Sequence, residues 1–203
     1  MSERWVPLDV TTVDPSPFVQ FQRWFDEAST EMPEREAVAL ATATTEGLPS
    51  VRMVLLRHHD GDSFGWFSNY ESRKGEELAA NPHAALLWYC EPRGRQIRIE
   101  GTVARMSTAQ SDAYFATRAR GSQLGAHASR QSQPLVDRET LERRVEEVGA
   151  LFEGGDVRRP DFWGGFRLVP RRFEFWQHRD DRLHDRVIYQ LADSAWCVER
   201  LSP

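Results

Sequence analysis

The chain has 203 residues, 40% of them hydrophobic and 28% charged, too apolar for a disordered protein and, on our reading, too broken by charge to supply the roughly 18 consecutive apolar residues of a spanning helix. A net charge of −5 excludes general attraction to nucleic acid, so any bound anion must be held by local clusters of Arg and Lys. Met1 to Trp5 offers no basic segment leading into an apolar run, and Cys90 and Cys197 stand in no metal-ligand spacing. We therefore expect a cytoplasmic protein without secretory signal, metal site or disulfide framework, both cysteines being reduced and structural.

Taken in chain order, Ser16-Pro17 reads as a helix start, with Phe18, Phe21, Trp24 and Phe25 gathered on one face. Two β-rich runs, Ala37 to Thr44 and Leu48 to Arg57, flank the hairpin signal Thr45-Glu46-Gly47. Asp60-Gly61-Asp62 marks a turn into a strand over Phe64 to Ser68, and Ser72 to Ala80 reads as a short helix stopped by Asn81-Pro82. Strands Ala84 to Tyr89 and Gln96 to Met106 flank the turn Glu91 to Gly94. Ser107 with Gln110 forms a capping box for a helix to about Thr117, and Asp137 to Phe152 carries Leu141, Val145, Val148 and Phe152 at helical spacing. Further strands are expected at Gly165 to Val169, Arg172 to Gln177, Val187 to Gln190 and Ala195 to Arg200. Strands joined by short turns, with helices inserted between them, predict a mainly β antiparallel barrel with peripheral helices rather than a parallel sheet. We read residues 1–203 as one domain, with an N-terminal arm and helix over 1–36 and the barrel with inserted helices over 37–203.

No glycine-rich phosphate loop is present, so arginines must do that work. Ser72-Arg73-Lys74 puts two cations at a helix start, where free N–H groups and the dipole favour an anion; an ordinary exposed basic pair is the alternative. Arg52 and Arg57 bound an apolar run and can equally be solvated strand-end arginines. Tyr114, Arg118 and Ser122 recur every four residues from a helix into the following loop and could surround one anion, although such spacing also arises by chance. Gln96 and Gln131-Ser132 could bond a heteroaromatic ring or a phosphate. Trp176 reads as core, whereas His184 lies between Arg182 and Arg186, cations that favour a neutral imidazole suited to proton exchange. His58-His59 is no metal site, because adjacent strand residues face opposite ways.

Together these stretches resemble the pyridoxamine 5'-phosphate oxidase family: RMVLLR from Arg52, SRKGEEL from Ser72, RQIRIEG from Arg95, YFATRARGSQLGAHASRQS from Tyr114, FWGGFR from Phe162, EFWQ through RLHDR, and the terminal ERLSP. The resemblance implies an FMN-binding split β-barrel, a C-terminal dimerisation region and a homodimer with FMN at the subunit interface. It assigns flavin contacts to Arg52, Met53, Val54, Leu55, Leu56, Arg57, Phe67, Ser68, Arg73, Lys74, Gln96, Gln131, Ser132, Trp176 and Arg186. It assigns the substrate to Arg57, Tyr114, Arg118, Ser122, Arg182, Leu183 and His184, with Arg182 and His184 at the reacting end as catalytic residues. The implied reaction oxidises pyridoxamine or pyridoxine 5'-phosphate to pyridoxal 5'-phosphate, with dioxygen as acceptor and hydrogen peroxide as product.

Arg57 stands where the family usually has Lys, and Phe67 where a Tyr is common. The Arg-Glu-Tyr segment that closes over the substrate in many members has no match in Met1 to Asp14. That absence favours an alternative, a related FMN oxidase of secondary metabolism acting on an unphosphorylated, phenazine-type aromatic precursor. Tyr114, Arg118 and Ser122 oppose it, because such a substrate leaves Arg118 without its anion. A non-enzymatic flavin-binding module is the least favoured reading, given RLHDR.

Overall fold

Alternation decides the first strands: along β1 (Ala37–Ala43) every second residue is buried, and β2 (Pro49–Leu55) pairs with it antiparallel while turning Val51, Met53 and Leu55 to solvent. The structure is a computed structural model describing residues 6–59 and 61–203. Met1 to Trp5, where the lack of a secretory signal was read, and Asp60 of the expected turn lie outside the described residues. Gly47 closes the first hairpin at φ 83°, a conformation natural to glycine.

β2 ends at Leu55 instead of Arg57, because the Leu56 and Arg57 N–H groups leave the ladder for the carbonyls of Glu36 and Gly65. The chain then forms the short β3 (His58–His59) and β4 (Phe64–Asn69), followed by α2 (Arg73–Ala80), β5 (His83–Cys90) and β6 (Arg95–Arg105). Before β1 lies α1 (Pro17–Glu27), capped by Ser16 as expected. After β6 come α3 (Thr108–Ala116), opened by the Ser107–Gln110 capping box, α4 (Arg120–Ala128) and α5 (Arg138–Leu151). β7 (Trp163–Gln177), a 3-10 turn at Asp180–Arg182, β8 (Asp185–Ala192) and β9 (Ala195–Leu201) complete the chain.

All described strands join one antiparallel sheet in the order β2-β1-β5-β6-β7-β4-β3, with β8 and β9 added to β7. Its two outer strands, β2 and β3, are linked through Leu56 and Arg57 alone, so the sheet must curl until its edges approach. The result is the expected mainly β, half-closed barrel with peripheral helices.

Two expected strands prove to be one. β7 runs unbroken through Pro170, which lacks an N–H and sits where the register with β6 shifts between Glu100 and Gly101. A Cβ on Gly101 would collide with the Val169 carbonyl there. On its other edge β7 changes partner, pairing with β4 up to Leu168 and with β8 from Arg172. One strand thus spans two regions of the molecule.

The barrel is filled by Leu40, Trp66, Leu86, Trp88, Ile97, Ile99, Leu168, Phe173 and Phe175, against which α1 lays Phe21, Trp24 and Phe25. A smaller cluster of Phe115, Val157 and Trp163 sits beneath α3 and α4. The apolar face of α5 is only half-buried and packs on α4. Both cysteines are free; Cys90 is buried, but Cys197 is exposed on β9 and has no core role. Among the described residues no helix is long and apolar enough to cross a membrane.

Candidate active site

Ser72 caps α2 through its Oγ, which accepts the Gly75 N–H, and this turns the Lys74 side chain inward from the first turn. The Lys74 ammonium donates to Ser68 Oγ (2.9 Å), Ser72 Oγ (3.2 Å) and Gln131 Oε1 (2.9 Å). Among the described residues these partners are all neutral. Burial, with the nearby charge of Arg52, lowers its pKa to about 8. A buried cation held among neutral oxygens is one that an anion would stabilise. Ser132 follows Gln131 in a left-handed turn at φ 71° and is exposed.

Arg52 and Arg73 converge beside Lys74 on a residue that sequence reasoning missed. Glu77 Oε1 accepts from Arg73 Nε (2.9 Å), and Oε2 accepts from Ser50 Oγ (2.6 Å), Arg52 Nη2 (3.3 Å) and Thr42 Oγ1. The Arg73–Glu77 spacing of four on a helix was a legible signal; the contacts with Thr42, Ser50 and Arg52 were not. On β2 Met53 and Leu55 are exposed and Val54 packs on the core, while Leu56, just past the strand, lies within it. Arg57 is exposed just beyond the strand.

Phe67, next to Ser68 on β4, belongs to an aromatic stack. Its ring lies 3.7 Å from Tyr114 and 5.7 Å from Trp163, nearly parallel to both. The Arg118 guanidinium covers Trp163 at 4.6 Å, and its buried Nη1 has no partner among the described residues. Burial pushes Arg118 below its ordinary pKa. Ser122 departs from expectation: α3 ends at Ala116 and α4 starts at Arg120, so Tyr114 and Ser122 sit on different helices with Arg118 in the connection. Gly121 and Gly125 weaken helical propensity, which is why α4 read as loop. Ser122 is exposed, and among the described residues no hydrogen bond joins it to Tyr114 or Arg118.

The remaining candidates gather at the other end of β7. Gln96 and Arg186 flank Trp176 in the ladder, and Trp176 is half-buried instead of core. Its ring meets His184 at 4.5 Å. Arg182 and Leu183 are exposed on the preceding turn, Arg182 at a left-handed φ of 61°. His184 Nδ1 accepts the Arg179 N–H (3.1 Å), and burial, then His178 and Arg182, lower its pKa. Arg182 thus acts as expected, whereas Arg186 turns its Nε to Glu174 (2.8 Å) and Nη1 to the Ser202 carbonyl (2.8 Å). Glu174, 1% exposed, also receives Arg98 and stands 3.6 Å from Arg172 Nη2. Burial alone would raise its carboxyl, but the Arg186 hydrogen bond and the charge of Arg98 outweigh it and hold it low.

Ser68 pairs with Gly164 and Arg186 with Trp176, so about 40 Å of strand contour separates the two groups. The structure brings Arg52, Ser68, Arg73, Lys74 and Gln131 together, and gathers Phe67, Tyr114 and Arg118 in a second group that starts from the neighbouring residue of β4. It leaves Gln96, Trp176, Arg182, Leu183, His184 and Arg186 apart.

The chain resembles known proteins over nearly its whole length. Residues 25–152 match the family model described as pyridoxamine 5'-phosphate oxidase, and residues 163–203 match that of the pyridoxine 5'-phosphate oxidase C-terminal dimerisation region. A pyridoxine/pyridoxamine 5'-phosphate oxidase of Rubrobacter xylanophilus is 53% identical over 191 residues, covering 94% of this chain and 88% of that protein. One from Paraburkholderia phymatum is 51% identical, covering 97% and 93%. The crystal structure of PhzG from Burkholderia lata, in complex with tetrahydrophenazine-1-carboxylic acid, superposes with a TM-score of 0.91 at 32% identity, covering 98% of this chain and 100% of that one. With matches that span both ends of β7 and nearly the whole chain, this protein belongs to the pyridoxamine 5'-phosphate oxidase family of enzymes.

Proposed function

We propose that the chain is an FMN-dependent oxidase converting pyridoxamine or pyridoxine 5'-phosphate to pyridoxal 5'-phosphate, working as a cytoplasmic homodimer. The observation that carries this is a pair of cations, the buried Lys74 and the half-buried Arg118, each without a carboxylate partner among the described residues. Two separate cationic groups of this kind suit a flavin phosphate and a substrate phosphate. The names of relatives at about half identity support the substrate, and the two free cysteines suit a reducing compartment.

The dimer follows from the separation along β7. A second copy would bring its Gln96, Trp176, Arg186 and Arg182-Leu183-His184 turn to the Lys74 and Arg118 sites. The matched dimerisation region and the exposed Val51, Met53 and Leu55 support that contact.

Arg52, Ser68, Arg73, Lys74 and Gln131 would hold the FMN phosphate, with Met53 to Arg57, Phe67, Ser132 and the second copy's Gln96, Trp176 and Arg186 around the rest. The chemistry that FMN would supply there is acceptance of a hydride from the exocyclic carbon as the amine or hydroxyl gives up a proton, with both electrons and two protons passing to dioxygen as hydrogen peroxide. An imine formed from the amine would then take up water and release ammonia to give the aldehyde. Arg118 and Tyr114, with Ser122 and Arg57 nearby, would anchor the substrate phosphate while Arg182, Leu183 and His184 meet the reacting end. Because His184 Nδ1 already accepts the Arg179 N–H, the neutral ring carries its proton on Nε2. It therefore offers the amine or hydroxyl a donor that orients it, in place of the proton acceptor that RLHDR first suggests.

Purified protein is expected to be yellow, with about one FMN per chain, and to release peroxide with either phosphorylated vitamer. Faster turnover of unphosphorylated aromatics would instead favour a phenazine-type substrate, the reading that the PhzG likeness supports. A phosphate dianion beside Lys74 restores its proton, so FMN binding takes one up once pH exceeds about 8. FMN affinity should then fall as pH rises through 8, by up to about tenfold per unit, and Lys74→Met should flatten the profile. A titration series showing no slope in the wild type would contradict the assignment.

A further inference from the structure

We propose that Glu77 is a positioning residue for the flavin phosphate, one buried carboxylate that fixes the guanidinium groups of Arg52 and Arg73 before the anion arrives. The inference rests on reading the Ser72-Arg73-Lys74 corner as the FMN phosphate site.

The Glu77 side chain is 5% exposed, whereas that of Arg73 is 62% exposed. A long exposed arginine samples many rotamers, and ordering it costs side-chain entropy. Glu77 bears that cost in advance by taking Arg73 Nε, which leaves the two terminal nitrogens as the fork that meets an anion. Arg52 is fixed by Glu77, by the Leu40 carbonyl at 3.2 Å and by the Thr42 and Ser50 hydroxyls, which accept from its two terminal nitrogens. The carboxylate is itself held by Ser50 and Thr42. Burial would raise its pKa, but these hydroxyls, then Arg73 and Arg52, outweigh that and bring it to about 2, so it remains charged throughout the working range.

Charge gives a second argument. Arg52, Arg73 and Lys74 against Glu77 leave two net positive charges, matching a phosphate monoester of about −1.5 to −2 at pH 7. Positioning and charge balance make opposite forecasts. If Glu77 only offset excess positive charge, removing its charge would tighten anion binding. If it positions the arginines, removal loosens binding of the phosphate and of nothing else.

Riboflavin, the same ring system without the phosphate, separates these cases. The full-length protein stripped of flavin is titrated with FMN and with riboflavin by fluorescence quenching, as wild type, Glu77→Gln and Ser50→Ala. Glu77→Gln is expected to raise the FMN Kd at least about tenfold with the riboflavin Kd unchanged. Ser50→Ala, which loosens both the carboxylate and its hold on Arg52 without altering charge, should raise the FMN Kd alone by a smaller factor, and it provides the same readout should Glu77→Gln fail to fold. Equal weakening of both flavins, or tighter FMN binding in Glu77→Gln, would overturn the positioning role. A wild type that binds FMN no better than riboflavin would instead overturn the phosphate site itself, and the proposal with it.

Discussion

Replacing Arg118 with alanine is expected to raise KM for pyridoxine 5'-phosphate by roughly ten- to a hundredfold while leaving FMN content near normal. Its guanidinium is already in place on the face of Trp163, with the Phe115 ring at 5.6 Å, and its Nη1 is buried without a partner among the described residues. A substrate phosphate therefore meets a cation that needs little ordering, and the charge-assisted hydrogen bond gained contributes about 1.5 to 3 kcal/mol. That range converts to the expected change in KM. Steady-state kinetics with the flavin absorbance recorded alongside checks it; unchanged kinetics would remove Arg118 from the substrate site.

Glu174→Ala should produce the largest loss of stability. The carboxylate is buried on β7 and serves Arg186, Arg98 and Arg172 together. Arg172 keeps Glu100 at 2.8 Å, but Arg186 and Arg98 lose their counter-charge. Arg98, Arg172 and Arg186 have side chains 25 to 41% exposed and regain water when the carboxylate is removed, so the loss is that of the charge-assisted hydrogen bonds, about 1.5 to 3 kcal/mol. For a chain of this length that lowers Tm by roughly 3 to 12 °C. Denaturant midpoints should shift with an unchanged m-value; a loss below about 1 kcal/mol would mean that solvent already screens the network.

Much of the barrel was legible because its strands alternate and its turns carry glycine or proline. Pro170 misled, since a proline between two apolar runs reads as a break, while the bulge opposite Gly101 lets one strand continue through it. α4 was hidden by its glycines and has a moderate apolar face of its own. The arginines and Lys74 could be named from helix-start chemistry and family motifs. Glu77 as the meeting point of Arg52 and Arg73, and Glu174 as that of Arg98, Arg172 and Arg186, could not be named, because the packing of α2 on β1 and the pairing of β7 with β6 and β8 complete those groups. Nor does sequence reveal that the candidate residues divide between the two ends of β7, a consequence of the strand's unbroken length.

That division makes the composite site directly testable. Arg118→Ala and His184→Ala are prepared as separate, poorly active dimers, then mixed under conditions that exchange subunits. If each site draws Arg118 from one copy and His184 from the other, every mixed dimer holds one site with both residues intact, and activity at low substrate should recover well above either parent. If mixed dimers form, as native mass spectrometry would verify, and activity stays at the level of the parents, then one chain supplies both residues to its own site and the composite arrangement is wrong.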